Sequence, residues 1–286
     1  MLKLKQPAYT YADMLTSCRE GITGNPGLLL KVNEAIIDLQ TLAASYSVSA
    51  STGELYIIQP LQNKDEEDPI VVGRLKKSDF VKLYGNYVVG KKKPARTIYD
   101  ALMTAANEKC PFCGGIGRPR NLDHYLPKAH YPQFSILPVN LVPACRDCNM
   151  DGKGEFFAKN EAEQIIHPYL DDSRYYDEQW ISARYLVGKN DEPGVIEYFV
   201  SPPADWDDPH KQRVEKHFKD FDLSLRYSKE AGARLVVLLA LYNSVLTLSG
   251  DKNAAKDIIF QTIIDKSSFV NHWERVMCLA LMSDLQ

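Results

Sequence analysis

The chain has no stretch that reads as a secretory leader. Its start, MLKLKQPAYTYADML, lacks both an apolar core and a small-residue cleavage site. An obvious membrane span is missing too. The longest apolar run, LVVLLALYNSVLTL at 235–248, contains Asn243 and falls short of the roughly 20 residues that a bilayer-crossing helix needs. We expect this run to be a buried core helix, and the protein to be cytoplasmic with no membrane contact. Positive charge is not in excess: 34 Lys and Arg stand against 37 Asp and Glu, a net charge of −3. That excludes a protein that coats nucleic acid with its whole surface, and confines any phosphate-facing region to a local patch. There are no internal repeats or low-complexity tracts, and a chain 45% hydrophobic and 25% charged is not a disordered one. Its 286 residues suggest one elaborated domain or two.

Cysteine is scarce as well, but four of the six fall in two pairs, Cys110-Pro-Phe-Cys113 and Cys145-Arg-Asp-Cys148. In a reducing compartment such pairs favour a metal over disulfides. Each pair can bend so that two thiolates converge, and two pairs complete a tetrahedral Zn²⁺ site. The glycines of CPFCGG suit the tight turn this requires. Four thiolates leave no open coordination position, so the zinc is expected to be structural, clasping the two ends of the insert 114–144. Cys18 and Cys278 lie in helix-like stretches and read as ordinary buried thiols.

Along the chain, residues 10–48 look helical, opening on a Thr-x-x-Asp cap pattern. STGELYIIQPL reads as a short strand and NKDEEDP as an acidic loop at a boundary. The charge balance then reverses. Residues 74–128 hold twelve basic and four acidic side chains. Lys91, Lys92, Lys93, Arg96, Arg118, Arg120 and Lys128 are therefore candidates for contact with a phosphate backbone; the alternative is a solvated helix and loop face. PARTIYDALMTAANE should be a helix leading into the first cysteine pair. QWISARYLVG and GVIEYFVSP, flanking a KNDEPG turn, predict a hairpin. Periodic helical sequence follows to the end.

Between the cysteine pairs stands an Asp-His dipeptide, Asp123-His124, in RNLDHYLPK. Together with PVNLVPAC and CRDCNMDGKG it resembles the HNH endonuclease family over about residues 107–155. The resemblance implies a two-stranded ribbon followed by a helix, gripping one divalent ion. It implies His124 as the general base on water and Asp123 as a metal ligand. It further implies Asn140 as the amide that fixes the loop aiming His124, and Asn149 as the second ligand of a Mg²⁺ or Mn²⁺ ion. His130 is a candidate for phosphate contact, and His167 for joining the site. The fold then expected is α+β and mostly helical. A small zinc-stabilised ββα-metal core is embedded between N-terminal and C-terminal helical regions, with a β-hairpin after the core. Three segments follow: 1–73, helical and available for partner docking; 74–170, basic helices and the nuclease core; 171–286, the hairpin and C-terminal helices.

The longer stretch DHYLPKAHYPQFSILPVNLVPACRDCNMDGKG is similar to HNH proteins of bacterial anti-phage Septu systems and of retrons that use them. That likeness implies a controlling ATPase partner of the ABC/SMC type and a DNA or RNA target, DNA foremost. Two other readings remain open at this point. One is a zinc-stabilised module that binds nucleic acid or protein without catalysis. The other is a zinc hydrolase acting on a different substrate, which would need an open zinc position.

Overall fold

A computed structural model describes residues 1–62, 67–188 and 194–285. The NKDEEDP loop at 63–69 and the KNDEPG turn at 189–194 fall largely outside the described residues. The chain divides into two units, Lys3–Asp172 and Ser173–Gln286 with Met1–Leu2. It is mostly helical, with small separate two-stranded hairpins.

The first unit opens with α1 (Tyr11–Gly21), α2 (Pro26–Glu34) and α3 (Ile36–Ser51). Local chemistry sets these starts. Thr10 and Asp13 form a reciprocal capping box on α1, and Asn25 caps α2 with Pro26 in its first turn. A small hairpin of β1 (Ile70–Val72) and β2 (Leu75–Lys76) leads into α4 (Lys77–Lys82), a π-helical turn at Leu83–Val88 and α5 (Arg96–Ala105). Then β3 (Asn121–His124) and β4 (Leu141–Ala144) form an antiparallel ribbon, with His124 opposite Leu141 and Asn121 opposite Ala144. The chain leaves β4 into a second π-helical stretch, Asp147–Lys153.

The boundary expected near residue 73 does not separate units, because buried and half-buried bonds cross it. Lys31 pairs with Asp79 at 2.9 Å, the Lys93 ammonium donates to the Gly21 carbonyl at 2.7 Å, and the Tyr46 hydroxyl donates to Asn140 at 2.9 Å. STGELYIIQPL is not a strand either. It ends α3 and makes a single 3₁₀ turn at Leu55–Ile57, since no strand among the described residues offers it a ladder.

The second unit holds α6 (Arg174–Asp177), a hairpin of β5 (Ile181–Leu186) and β6 (Val195–Val200), then α7 (Asp208–Asp220) and α8 (Leu223–Ser249). It closes with α9 (Lys252–Lys256), a π turn, α10 (Thr262–Lys266) and α11 (Trp273–Asp284). Asn271 is fully buried; its oxygen accepts from Trp180 N and Ile181 N, fixing the start of β5.

The expectation for 235–248 needs correction. α8 buries one stripe, Leu223, Tyr227, Ala231, Leu235, Leu238 and Tyr242, at spacings of three and four. Val236, Val237, Leu241 and Leu248 on its other face are exposed. A two-stranded hairpin is too narrow to cover a helix all round, so half the apolar run stays uncovered. At 27 residues, α8 is long and apolar enough to cross a membrane by length and composition.

Candidate active site

The four paired cysteines are all buried, and their sulfurs lie within 4.8 Å of one another. Cys113 and Cys145 are 4.0 Å apart, far beyond a disulfide and close to the about 3.8 Å between sulfurs on one tetrahedral zinc. These four cysteines could bind a zinc ion. The first pair sits in a tight turn: Gly115 N donates to Cys110 O at 2.9 Å and Cys110 N to Gly117 O at 2.8 Å. Gly114 and Gly115 take positive φ of 62° and 90°. The tightest demand falls on Gly117, where a Cβ would stand 2.5 Å from Cys145 Sγ. Cys18 and Cys278 are separate buried thiols, each pushed up to about 12 by burial.

The clasp holds the two ends of the ribbon, since Cys113 precedes β3 and Cys145 directly follows β4. Between ribbon and π-helix opens a cleft of about 360 Å³ bordered by Tyr84, Asp123, His124, Lys128, Asn149 and Lys153. Asp123 and His124 are both 6% exposed. His124 Nε2 lies 2.9 Å from Ser135 O. A carbonyl only accepts, so Nε2 carries the proton and Nδ1 is left as the unprotonated ring nitrogen. The ring packs edge-on against Tyr84, centroids 4.4 Å apart, and the Lys128 ammonium lies over the Tyr84 ring at 5.0 Å. Burial, with help from Lys128, pushes His124 down to about 3. The ring is therefore neutral at ordinary pH.

Burial raises Asp123 above the usual carboxylate value, opposed by Lys153. Its Oδ2 accepts no hydrogen bond, although the Lys153 ammonium stands 3.3 Å away. A buried carboxylate oxygen left without a hydrogen bond fits a site for a hard cation. Asn149, next to Cys148, shares the cleft. Its amide nitrogen donates to Asn121 Oδ1 at 3.0 Å, so it is the amide oxygen that could hold a cation.

Asn140 is fully buried just before β4. Its oxygen accepts from Leu126 N at 2.7 Å and from the Tyr46 hydroxyl at 2.9 Å. Its nitrogen donates to Leu126 O at 3.2 Å and Phe134 O at 3.0 Å. One amide thus ties both ends of the 125–137 loop, and Ser135, the partner of His124, is on that loop. His167 lies behind this amide: Tyr46 Oη is 3.2 Å from its Nε2, and Tyr169 N donates to its Nδ1 at 3.3 Å. Asn140→Ala would strand buried donors and acceptors on both sides. We expect it to cost at least about 2 kcal/mol of stability in urea unfolding.

The remaining candidates divide. Lys128 borders the cleft, and Lys91, Lys92, Arg118 and Arg120 are exposed. Lys93 is tied to Gly21 O, and Arg96 is taken up by Asp100 at 2.9 Å, Val89 O at 2.9 Å and the ring of Tyr99. His130 packs on Phe157, with ring centroids 4.8 Å apart, and does not border the cleft. Sequence reasoning missed Lys153, Tyr84 and Tyr46. Lys153, in CRDCNMDGKG, was within reach as a basic residue on the face of Asn149; the tyrosines lie far away in the chain and carry no motif.

Comparison with known proteins decides the kinship. The chain is 40% identical to protein ea31 of Escherichia phage lambda, an alignment spanning 99% of this chain and 98% of that protein. The chain belongs to the ea31 family. The chain also shares 35% identity with Septu protein PtuB of Bacillus thuringiensis, over 30% of this chain and 33% of PtuB. No protein-family model and no solved structure matches it.

Proposed function

We propose that this ea31-family protein is a metal-dependent nuclease of the HNH type. It would hydrolyse phosphodiester bonds, of DNA before RNA, in anti-phage defence under a partner ATPase. The observation that carries the reading is the state of His124, a buried, neutral imidazole whose Nε2–H is bonded to Ser135 O. Its Nδ1 is then the ring nitrogen left to take a proton from water. Asp123 and Asn149 would hold a Mg²⁺ or Mn²⁺ ion, which supplies positive charge to the scissile phosphate and the leaving oxygen. Lys128, exposed at the rim, would steer the phosphate backbone inward. The four cysteines hold the frame and take no part in the chemistry. The partial likeness to a Septu protein supports the defence role, and the ATPase partner rests on the same likeness.

The test uses zinc-loaded protein with plasmid, single-stranded DNA and RNA, in Mg²⁺, Mn²⁺ or EDTA. Cleavage in Mg²⁺ or Mn²⁺ and none in EDTA is the expected result. If nothing is cut, the assay is repeated with the product of the neighbouring gene. Continued inactivity on all three polymers sinks the nuclease reading.

A further inference from the structure

We infer that Lys153 is the resident counter-cation of the Asp123 carboxylate, and that its charge holds the cleft's affinity for a divalent ion low. This rests on the reading of Asp123 as a metal ligand.

Lys153 is 4% exposed, unusual for a lysine, and it borders the same cleft as Asp123, His124 and Asn149. Its ammonium donates to two backbone carbonyls and stands as an ion-pair partner, without a hydrogen bond, beside Asp123 Oδ2. His124 O lies at 2.6 Å, Gly154 O at 3.5 Å and Asp123 Oδ2 at 3.3 Å. Two of these are backbone carbonyls, so the side chain is anchored to the fold and not merely drawn to the carboxylate. It therefore has no easy route out when another cation arrives. One ammonium also spans both members of the Asp-His pair, holding the main chain of His124 and the side chain of Asp123.

Two consequences follow from this placement. In protein without a divalent ion, Lys153 balances a buried carboxylate that would otherwise be unpaired. When a divalent ion seeks the same oxygen, Lys153 repels it, and the buried setting screens that repulsion little. The phosphate of a nucleic acid would bring the negative charge that Lys153 has already neutralised. Metal and nucleic acid should therefore each tighten the other's binding. Such a site is poor in metal until substrate is present.

The test is Mn²⁺ binding by calorimetry to the zinc-loaded full chain, without nucleic acid. Lys153→Gln keeps an amide N–H for the backbone carbonyls and removes the charge; Lys153→Met removes both; Lys153→Arg keeps the charge. The neutral variants should bind Mn²⁺ at least about tenfold more tightly than wild type. Lys153→Arg should bind like wild type, and Asp123→Asn should lose the site. Equal or weaker binding by the folded neutral variants overturns the counter-cation role while leaving Asp123 as ligand. Tighter binding by Lys153→Arg as well would show that charge is not the cause. Unchanged binding in Asp123→Asn would instead overturn the ligand reading itself, and this inference with it. Zinc content and melting confirm that each variant is folded. If one neutral variant does not fold, the other decides.

Discussion

His124→Ala is expected to lose about three orders of magnitude in cleavage rate, within the range for removal of a general base, while still binding zinc. The size of the effect follows from how completely the site is built around one imidazole. The Ser135 carbonyl fixes its tautomer, Tyr84 covers its edge, and Asn140 ties the loop that carries Ser135. Among the described residues no other histidine borders the cleft. A variant that keeps more than a tenth of the wild-type rate would remove His124 from the chemistry.

The same residue should leave a mark on stability. Its value in the folded protein is pushed down to about 3, against about 6.5 for an unperturbed histidine. Between those limits the unfolded chain binds a proton that the folded one does not, so stability rises with pH there. The contribution is complete above pH 6.5 and is lost as pH falls towards 3. At pH 5 the deficit is about 2 kcal/mol. Asp123, raised by burial, acts in the opposite sense above its own unfolded value. Comparing wild type with His124→Gln, both carrying Asp123, isolates the histidine. Urea unfolding at pH 7.5 and pH 5 should show a smaller difference for His124→Gln.

Cys148→Ser, or stripping of zinc by a strong chelator, should unfold the unit Lys3–Asp172. Structural zinc contributes on the order of 10 kcal/mol of apparent folding energy in small modules. The ribbon that carries Asp123 and His124 has four residues per strand, too little to stand alone. Cys113 precedes that ribbon and Cys145 directly follows it, so a bound metal would close a loop that the strands cannot close themselves. Cys148 also begins the turn that carries Asn149 and Lys153 to the cleft. Zinc content by mass spectrometry and thermal melting check this together. A Cys148→Ser protein that keeps its metal, or melts within a few degrees of wild type, would show that the cluster is not the frame. Gly117→Ala is a milder probe of the same frame, because its Cβ would press on Cys145 Sγ.

Much was legible in the sequence because it depended on near neighbours. The cysteine pairs announced a metal site through their spacing, and the buried cluster has the proximity that spacing implied. The cap of α1 and the pairing of β5 with β6 were likewise local matters. Adjacency alone also brought Asp123 and His124 to attention as a unit. Tertiary structure decided what reaches across the chain. Tyr46 meets Asn140 across 94 positions and His167 across 121, distances at which no pattern in a single sequence reports contact. Charge counting marked Lys93 and Arg96 as free cations, yet folding brings carbonyls and a carboxylate to them. Apolar content marked 235–248 as core, but only packing decides which side of a helix is covered. Composition cannot anticipate that a lysine will be buried against an aspartate. Lys153 gives up its water for two backbone carbonyls and one carboxylate, and only the folded chain brings those three oxygens to one place.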